Sequence, residues 1–273
     1  MVSAVPPPFL LLVVTPTLGR SPWLEQTVAS VARLPLRCLH RLVAPAGAVA
    51  ELAARFPHVQ VVAEPGGGMY AAINAGLAAN ESWGAFTYIN DDDLLLPPFA
   101  RLAAQVDVDR PQVVYGGVKL IRTDGRRAGA IPISSTPSLN RLLYAQRIEP
   151  VYQHGTIVTR PVVAQLGGFD ASFQFCGDTE FLARACVAGV PFVCATRREV
   201  AAFRLRPGQF TKNLPVMLAE SHRAHAKLGL PQRRTARHRW ARLVFRAANT
   251  PVYLERIARH GFIGFGEVLA RVE

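Results

Sequence analysis

Between Phe9 and Ile89 the chain switches repeatedly between two hydrophobic rhythms. Short runs that are apolar at every position alternate with stretches whose apolar residues recur every three or four positions. A strand with no polar face must be covered on both sides, and the intervening amphipathic helices are its covers. This alternation predicts an α/β fold with a mainly parallel, Rossmann-like sheet flanked by helices. Residues 9–15 read as the first buried strand. Ser21-Pro22 then supplies an N-cap and an early proline, Leu24, Val28 and Val31 follow at helical spacing, and Pro35 ends the element. Strand 39–44, a helix over 49–56 and strand 58–63 come next. After Gly66-Gly67-Gly68 an alanine-rich helix is expected over about 70–79. Strand 85–89 then runs directly into Asn90-Asp91-Asp92-Asp93.

The second half reads differently. Residues 113–122 and the segment after Thr123-Asp124-Gly125 predict a hairpin, since Asp-Gly favours a tight turn. A helix over 138–147, a strand over 152–159, a helix over 179–188 and strands near 192–195 and 200–205 follow. From about Pro215 the pattern is helical and rich in arginine. No low-complexity linker precedes it, so this segment is expected to pack on the body. We divide the chain into residues 1–203, with a nucleotide-binding half to about 110 and an acceptor half from about 111, and a basic helical extension, 204–273.

Composition excludes several classes. No apolar run reaches the ~20 residues of a membrane-spanning helix. The run from Phe9 has no basic residue before it, so it does not read as a signal peptide, and a cytoplasmic location is expected. Cys38, Cys176, Cys186 and Cys194 show no zinc-site spacing and are expected to be apolar filling. The net charge of +12 is unevenly placed: residues 204–273 hold 14 Lys/Arg against 4 Asp/Glu, and the remainder is nearly neutral.

The acidic triplet carries the first chemical signal. Adjacent carboxylates repel one another, so folding them together needs a compensating cation or solvent. In an open α/β sheet, ligands bind beyond the carboxyl ends of the strands, which is where the triplet falls. Hard cations such as Mg²⁺ are held by one or two carboxylates together with phosphate oxygens.

Several segments in one order resemble the family 2 glycosyltransferases of the GT-A fold, over about residues 9–211. Val13-Val14-Thr15-Pro16-Thr17, with Arg20, resembles the first strand and nucleotide loop. The segment from Glu64-Pro65-Gly66-Gly67-Gly68-Met69-Tyr70 to Asn74-Ala75-Gly76 is similar to the family's E-x-D-x-G-x-Y-D-A-x-N-x-G. Tyr88 to Asp93, with Pro97 downstream, looks like its D-x-D strand end. Gln153 to Arg160, then Gly167-Gly168-Phe169-Asp170, resembles the segment before the acceptor site. Gly177-Asp178-Thr179-Glu180-Phe181 is similar to the motif whose aspartate is the catalytic base.

The resemblance implies an inverting, metal-dependent hexosyltransferase. Its donor would be a nucleoside diphosphate sugar and its acceptor a glycan or lipid-linked hydroxyl, as in cell-surface polysaccharide or glycolipid synthesis. It makes Asp178 the base and Asp92 the principal ligand of a Mn²⁺ or Mg²⁺ ion, with Asp91 and Asp93 as further candidates. It assigns the nucleotide sugar to Thr15, Pro16, Thr17, Arg20, Glu64, Gly68, Met69, Asn74, Asn90 and Asp91. Gln153, His154, Glu180 and Arg204 stand on the acceptor or diphosphate side. Arg204 and Arg206, beside Pro207-Gly208-Gln209-Phe210-Thr211, are placed to clamp the diphosphate as a loop closes. One departure stands out: Val43-Ala44-Pro45-Ala46-Gly47 lacks the acid that many members place against the base or ribose, so no base contact carries over. Tyr152 also stands where many members have His.

A nucleotidyltransferase is the nearest enzyme alternative, but Thr17-Leu18-Gly19-Arg20 lacks its glycine-rich loop. Nucleic-acid binding through Arg233-Arg234, Arg237, Arg239, Arg242 and Arg246 is less favoured, because only Trp240 and Phe245 interrupt the basic residues. Anionic headgroups, met by Trp240, Leu243, Val244 and Phe245 at the inner face of a membrane, are the preferred partner of this extension. A solvated helix or a contact between copies of the chain competes with it on equal terms.

Overall fold

The computed structural model describes residues 9–78, 82–206, 214–231 and 235–262. Its centre is a nine-stranded sheet in the order β3-β2-β1-β4-β8-β6-β9-β5, with β7 paired to β6. The first four strands are β1 (Leu11–Pro16), β2 (Cys38–Ala44), β3 (Gln60–Ala63) and β4 (Ala85–Tyr88). Their pairings with one another are all parallel. Between them lie α1 (Leu24–Ala32), α2 (Val49–Arg55) and α3 (Met69–Ala78). This is the alternation read from the sequence, with boundaries shifted by one to three residues. The first helix begins at Leu24 rather than directly after Ser21-Pro22, which form a turn.

The continuous apolar run of β1 has the expected consequence. Leu12 and Val14 join one core cluster, while Leu11 and Val13 join another on the opposite face of the sheet. The α3 side of β1 is pressed so close that a Cβ on Gly76 would lie 2.6 Å from Val14 Cγ1. Glycine is therefore the residue that lets helix and strand meet there.

Beyond β4 the sheet becomes mixed. It continues with β5 (Leu94–Leu95), β6 (Val113–Ile121), β7 (Arg127–Ile131), β8 (Thr156–Thr159) and β9 (Phe192–Arg204). β8 is antiparallel to both β4 and β6, and β6 runs parallel to β9. The two strands expected near 192–195 and 200–205 are one long strand. Its register against β6 jumps between Tyr115 and Gly117, where Arg197 and Arg198 bulge toward Gly117. The strand expected over 152–159 is half as long, because Gln153–Gly155 form a 3-10 turn before β8.

The helices of this half are α4 (Ala100–Ala103), α5 (Asn140–Tyr144), α6 (Arg160–Leu166) and α7 (Gly177–Val187). The extension supplies α8 (Leu214–Lys227), α9 (Ala236–Ala248) and α10 (Thr250–His260). It packs on the body as expected. Buried Asn249 exchanges hydrogen bonds with both backbone groups of Ile133, and Arg127 forms a two-pronged ion pair with Glu255. No helix among the described residues is long and apolar enough to cross a membrane.

Candidate active site

The chain leaves β1 to build β2 and β3 on one side, then returns to place β4 on the other. The carboxyl ends of β1 and β4 therefore splay apart at the point where the connections reverse, and such a switch point opens a crevice. Thr17 follows β1 and the acidic triplet follows β4, so both line it. Thr17 Oγ1 donates to Asp91 Oδ2 at 2.6 Å and accepts from Gly19 N at 3.0 Å. Ser21 Oγ donates to the Asp91 carbonyl, and Thr27 Oγ1 to that of Asp93, both at 2.8 Å. The triplet is thereby tied to the first helix through its main chain.

The three carboxylates have different surroundings. Asp93 is fully buried and accepts from Arg204 N at 2.7 Å and Asn90 Nδ2 at 3.1 Å, with His154 Nε2 also 3.1 Å away. These contacts fill it, which removes Asp93 from the candidate metal ligands. Asp92 is also buried, and its Oδ2 pairs with Arg206 Nε. Burial first, then the charge of Asp93, raise the Asp92 pKa to about 6, against the pull of Arg206. Burial likewise raises Asp91, while Thr17 and Arg206 oppose the rise. Asp91 and Asp92 thus form an oxygen pair whose charge is incompletely neutralised by protein. The buried Asn90 Oδ1 beside them has no hydrogen-bond partner among the described residues. This hard-oxygen set fits a Mg²⁺ or Mn²⁺ ion that completes its shell with phosphate oxygens.

The second acidic group stands at the start of α7. Asp178 reaches the surface only in part, and burial raises its pKa. Its Oδ1 accepts from Thr179 N at 2.8 Å and Tyr70 Oη at 3.2 Å. Gly177 is required before it, since a Cβ there would sit 2.5 Å from Tyr70 Cε2. The residue preceding the aspartate cannot carry a side chain unless Tyr70 moves. Tyr88, at the end of β4, is buried close by; burial first, then the charge of Asp178, raises its pKa well above the ordinary value. His154 connects the two acidic groups. Burial works against its charged form, but Asp93, Asp178 and Asp92 outweigh burial and raise its pKa.

Several expected site residues are turned elsewhere. Thr15 Oγ1 is hydrogen-bonded to His40 Nε2 at 3.0 Å inside the sheet; His40, pushed down to about 3 by burial, stays neutral. Thr17, two residues later, is the threonine in the crevice. Asn74 spends its amide on Phe169, donating to its carbonyl at 2.8 Å and accepting from its N–H at 2.9 Å. It fastens the Gly167-Gly168 turn to α3. Glu180 is fully buried and bonds Arg184 and Lys227, at 2.9 Å each. Two residues along a helix turn a side chain roughly 200° away, so Asp178 and Glu180 face opposite ways. Arg204 is also corrected from clamp to brace. Buried over Trp23, it donates to the carbonyls of Asp92, Arg122 and Thr123 and to Gln26 Oε1.

Other expected residues lie at the rim. Arg20 is exposed, Pro16, Glu64 and Met69 are half-buried, and Gly68 is exposed on a loop whose Gly66, Gly67 and Gly68 all have φ between 80° and 92°. Gln153 is buried with its Oε1 unpaired among the described residues. The segment 207–211, expected to close over a diphosphate, lies outside the described residues.

Two contributors were absent from the sequence reading. Glu149, pushed up to about 7 by burial and then by Asp178, accepts from Thr179 Oγ1 at 2.9 Å. Thr179 therefore bridges two carboxylates. The signal available was a single acid directly before Pro150, the only one between Asp124 and Asp170. Glu220 of α8 accepts from the N–H groups of Gln174, Phe175 and Cys176 at 2.7–3.0 Å. The extension thus holds the loop leading to Asp178, a long-range role that no local pattern announces.

No family model and no curated sequence matches the chain. Solved structures do. S. aureus TarS 1–349 in complex with UDP-GlcNAc is similar with a TM-score of 0.61 at 15% identity, over 92% of this chain and 73% of that one. A longer S. aureus TarS structure gives 0.58 at 15% identity, over 94% of this chain and 44% of that one. The Pyrobaculum calidifontis mannosyltransferase PcManGT, in complex with GDP-Man and Mn²⁺, gives 0.54 at 15% identity, over 97% and 79%. The chain has the GT-A glycosyltransferase fold expected from its sequence.

Proposed function

We propose that this chain, built on the GT-A glycosyltransferase fold, is an inverting hexosyltransferase. It moves a sugar from a nucleoside diphosphate donor to the hydroxyl of a glycan or lipid-linked acceptor. One observation carries the reading. The acidic triplet and the Asp178 carboxylate share one neighbourhood: His154 Nε2 stands 3.1 Å from Asp93, and Asp178 lies close enough to His154 and Tyr88 to raise the pKa of each. Transfer needs two groups on opposite sides of one anomeric carbon, a charge sink for the departing diphosphate and a base for the incoming hydroxyl.

Asp92 and Asp91, with Asn90 beside them, would hold a Mn²⁺ or Mg²⁺ ion, which neutralises the charge that develops on the leaving diphosphate. Arg206 places a second positive group at Asp92. Thr17, Arg20 and the Gly66-Gly67-Gly68 loop frame the nucleotide side. Asp178 accepts the acceptor's proton, and its raised pKa makes it a better base than a solvated carboxylate. Gln153 and His154 line the path between the two. A single in-line displacement inverts the anomeric centre. The similar structures hold UDP-GlcNAc and GDP-Man, so UDP and GDP sugars are the first donors to try.

The test is calorimetric titration of UDP and of GDP with Mn²⁺ present. Asp92→Ala is expected to weaken metal-dependent binding by about tenfold or more, as loss of a charged ligand contact implies. No heat from any nucleoside diphosphate would overturn the reading. Unchanged binding in Asp92→Ala would remove the metal assignment.

A further inference from the structure

The outer face of α9 and α10 takes no part in the crevice. α9 buries His238, Ala241 and Phe245, the last two in a cluster with Leu139 and Leu143. That leaves its opposite side in water, and this side is also apolar. Trp240 is 57% and Leu243 65% exposed, with exposed Ala236 and Ala247 continuing the row. Positions 236, 240, 243 and 247 follow helical spacing and share one stripe. α10 repeats the arrangement with exposed Pro251, Leu254 and Ala258, and Phe262 follows at 92% exposure. Phe245 and Val244, expected from the sequence to be exposed, instead pack toward the body.

The charges around these stripes have one sign. Arg237, Arg239, Arg242, Arg246, Arg256 and Arg259 lie on the two helices, and Glu255 is their sole acid. Glu255 is engaged by Arg127 and Arg259, which hold its carboxyl down at about 2. Both helices meet at Asn249, which is buried and bonded to Ile133. α9 and α10 are therefore each anchored to the body, α9 through Ala241 and Phe245 on the side away from its stripe and α10 through Glu255.

We propose that this face docks on an anionic lipid bilayer, with Trp240, Leu243, Leu254 and Phe262 entering the headgroup boundary and the arginines meeting phosphates. A water-facing apolar stripe edged by arginine is matched by a surface that is apolar below and negative above. A second copy of the chain would set arginine against arginine with no free acid on either helix. A nucleic acid would satisfy the arginines but leave Leu243, Leu254 and Phe262 in water. Docking is independent of the donor chemistry, and its readout is binding alone.

The test is flotation of the full chain with phosphatidylcholine vesicles and with vesicles that also contain phosphatidylglycerol. The chain should float with the anionic vesicles, weakening as salt rises, and the emission lost in Trp240→Phe should shift to the blue on binding. Combined Trp240→Ser, Leu243→Ser and Leu254→Ser should weaken binding at least about tenfold. Combined Arg237→Gln, Arg239→Gln and Arg246→Gln should abolish the preference for anionic lipid. All six side chains face water, so melting temperatures should match the unaltered protein and separate docking from folding. Equal flotation with both vesicle types, or anionic binding unaffected by the serine substitutions, would overturn the proposal. So would a stable dimer whose Trp240 emission is already blue-shifted without lipid, or tighter binding to duplex DNA than to anionic vesicles.

Discussion

Asp91, Asp92 and Asp93 sit among cations, hydroxyls and N–H donors, whereas Asp178 and Glu149 sit among tyrosines. Arg206 pairs with Asp92, Arg204 braces the main chain of the triplet, and Asn90 and His154 face Asp93. At the other end, the bonds to Asp178 come from Tyr70 and Thr179 and the bond to Glu149 from Thr179, with Tyr88 and Tyr152 close by, and no Lys or Arg bonds either among the described residues. The same functional group is thus prepared for two tasks. Burial raises the carboxylates at both ends, but at Asp91 and Asp92 the Arg206 guanidinium opposes the rise, whereas at Asp178 no Lys or Arg does. An enzyme that must anchor a metal diphosphate and also accept a proton needs one of each.

The comparison breaks most visibly at Asp178. Asp178→Asn keeps the shape and removes the base we propose, so transfer should fall ~10²–10⁴-fold. Binding of UDP or GDP with Mn²⁺ should move only a few-fold. Near-normal turnover in a donor-transfer assay would give the two clusters the same task and end the distinction.

On the compensated side, Arg204→Met should destabilise the fold by ~3–5 kcal/mol in urea titration, because it strips a buried cation from carbonyls and acids arranged around it. A loss below ~1 kcal/mol, the range of exposed ion pairs, would mean that the triplet does not depend on this brace.

Glu149 sharpens the other side. Its pKa is raised from 4.5 to about 7, so between those values the folded chain binds the proton more tightly than the unfolded chain does. That contribution is complete below the unfolded pKa and is lost as pH rises through about 7. Glu149→Gln should therefore flatten the fall in stability across this window. It should raise stability above pH 7 by about 1–2 kcal/mol, allowing for solvent screening. Thermal melts from pH 5 to pH 8 measure both, and an unchanged slope would show that Glu149 is not strained by Asp178.

The smallest effect is expected at Tyr70, whose hydroxyl is shared between Asp178 Oδ1 and the Phe175 carbonyl. Tyr70→Phe should cost ~1 kcal/mol of stability. Because that bond lowers the Asp178 pKa, its loss should move the rising limb of the pH–rate profile to higher pH. A limb that stays in place would detach Tyr70 from the base.

Much of the architecture is written in local pattern. An all-apolar strand, helical spacing and a glycine- or proline-marked boundary are properties of neighbouring residues, so β1 to β4 and the helices between them could be read directly. The acidic triplet at the end of β4 and the surplus charge of the extension were legible for the same reason. The merged strand β9 and the 3-10 turn at Gln153 were not, because a sheet partner or a packed ring decides them.

Side-chain destinations were decided only by the tertiary structure. Thr15 and Thr17 look equivalent in the chain, yet one meets His40 inside the sheet and the other meets Asp91 in the crevice. Asp178 and Glu180 share one motif, and the turn of the helix sends them to opposite sides. Glu149, Glu220 and Arg204 acquire their roles from partners 30 to 178 positions away. The sequence determined where strands end and which chemical groups stand there. Which of those groups keep a charge, which hold a proton and which only fasten the frame depends on burial and on partners distant in the chain, and folding alone brings those together.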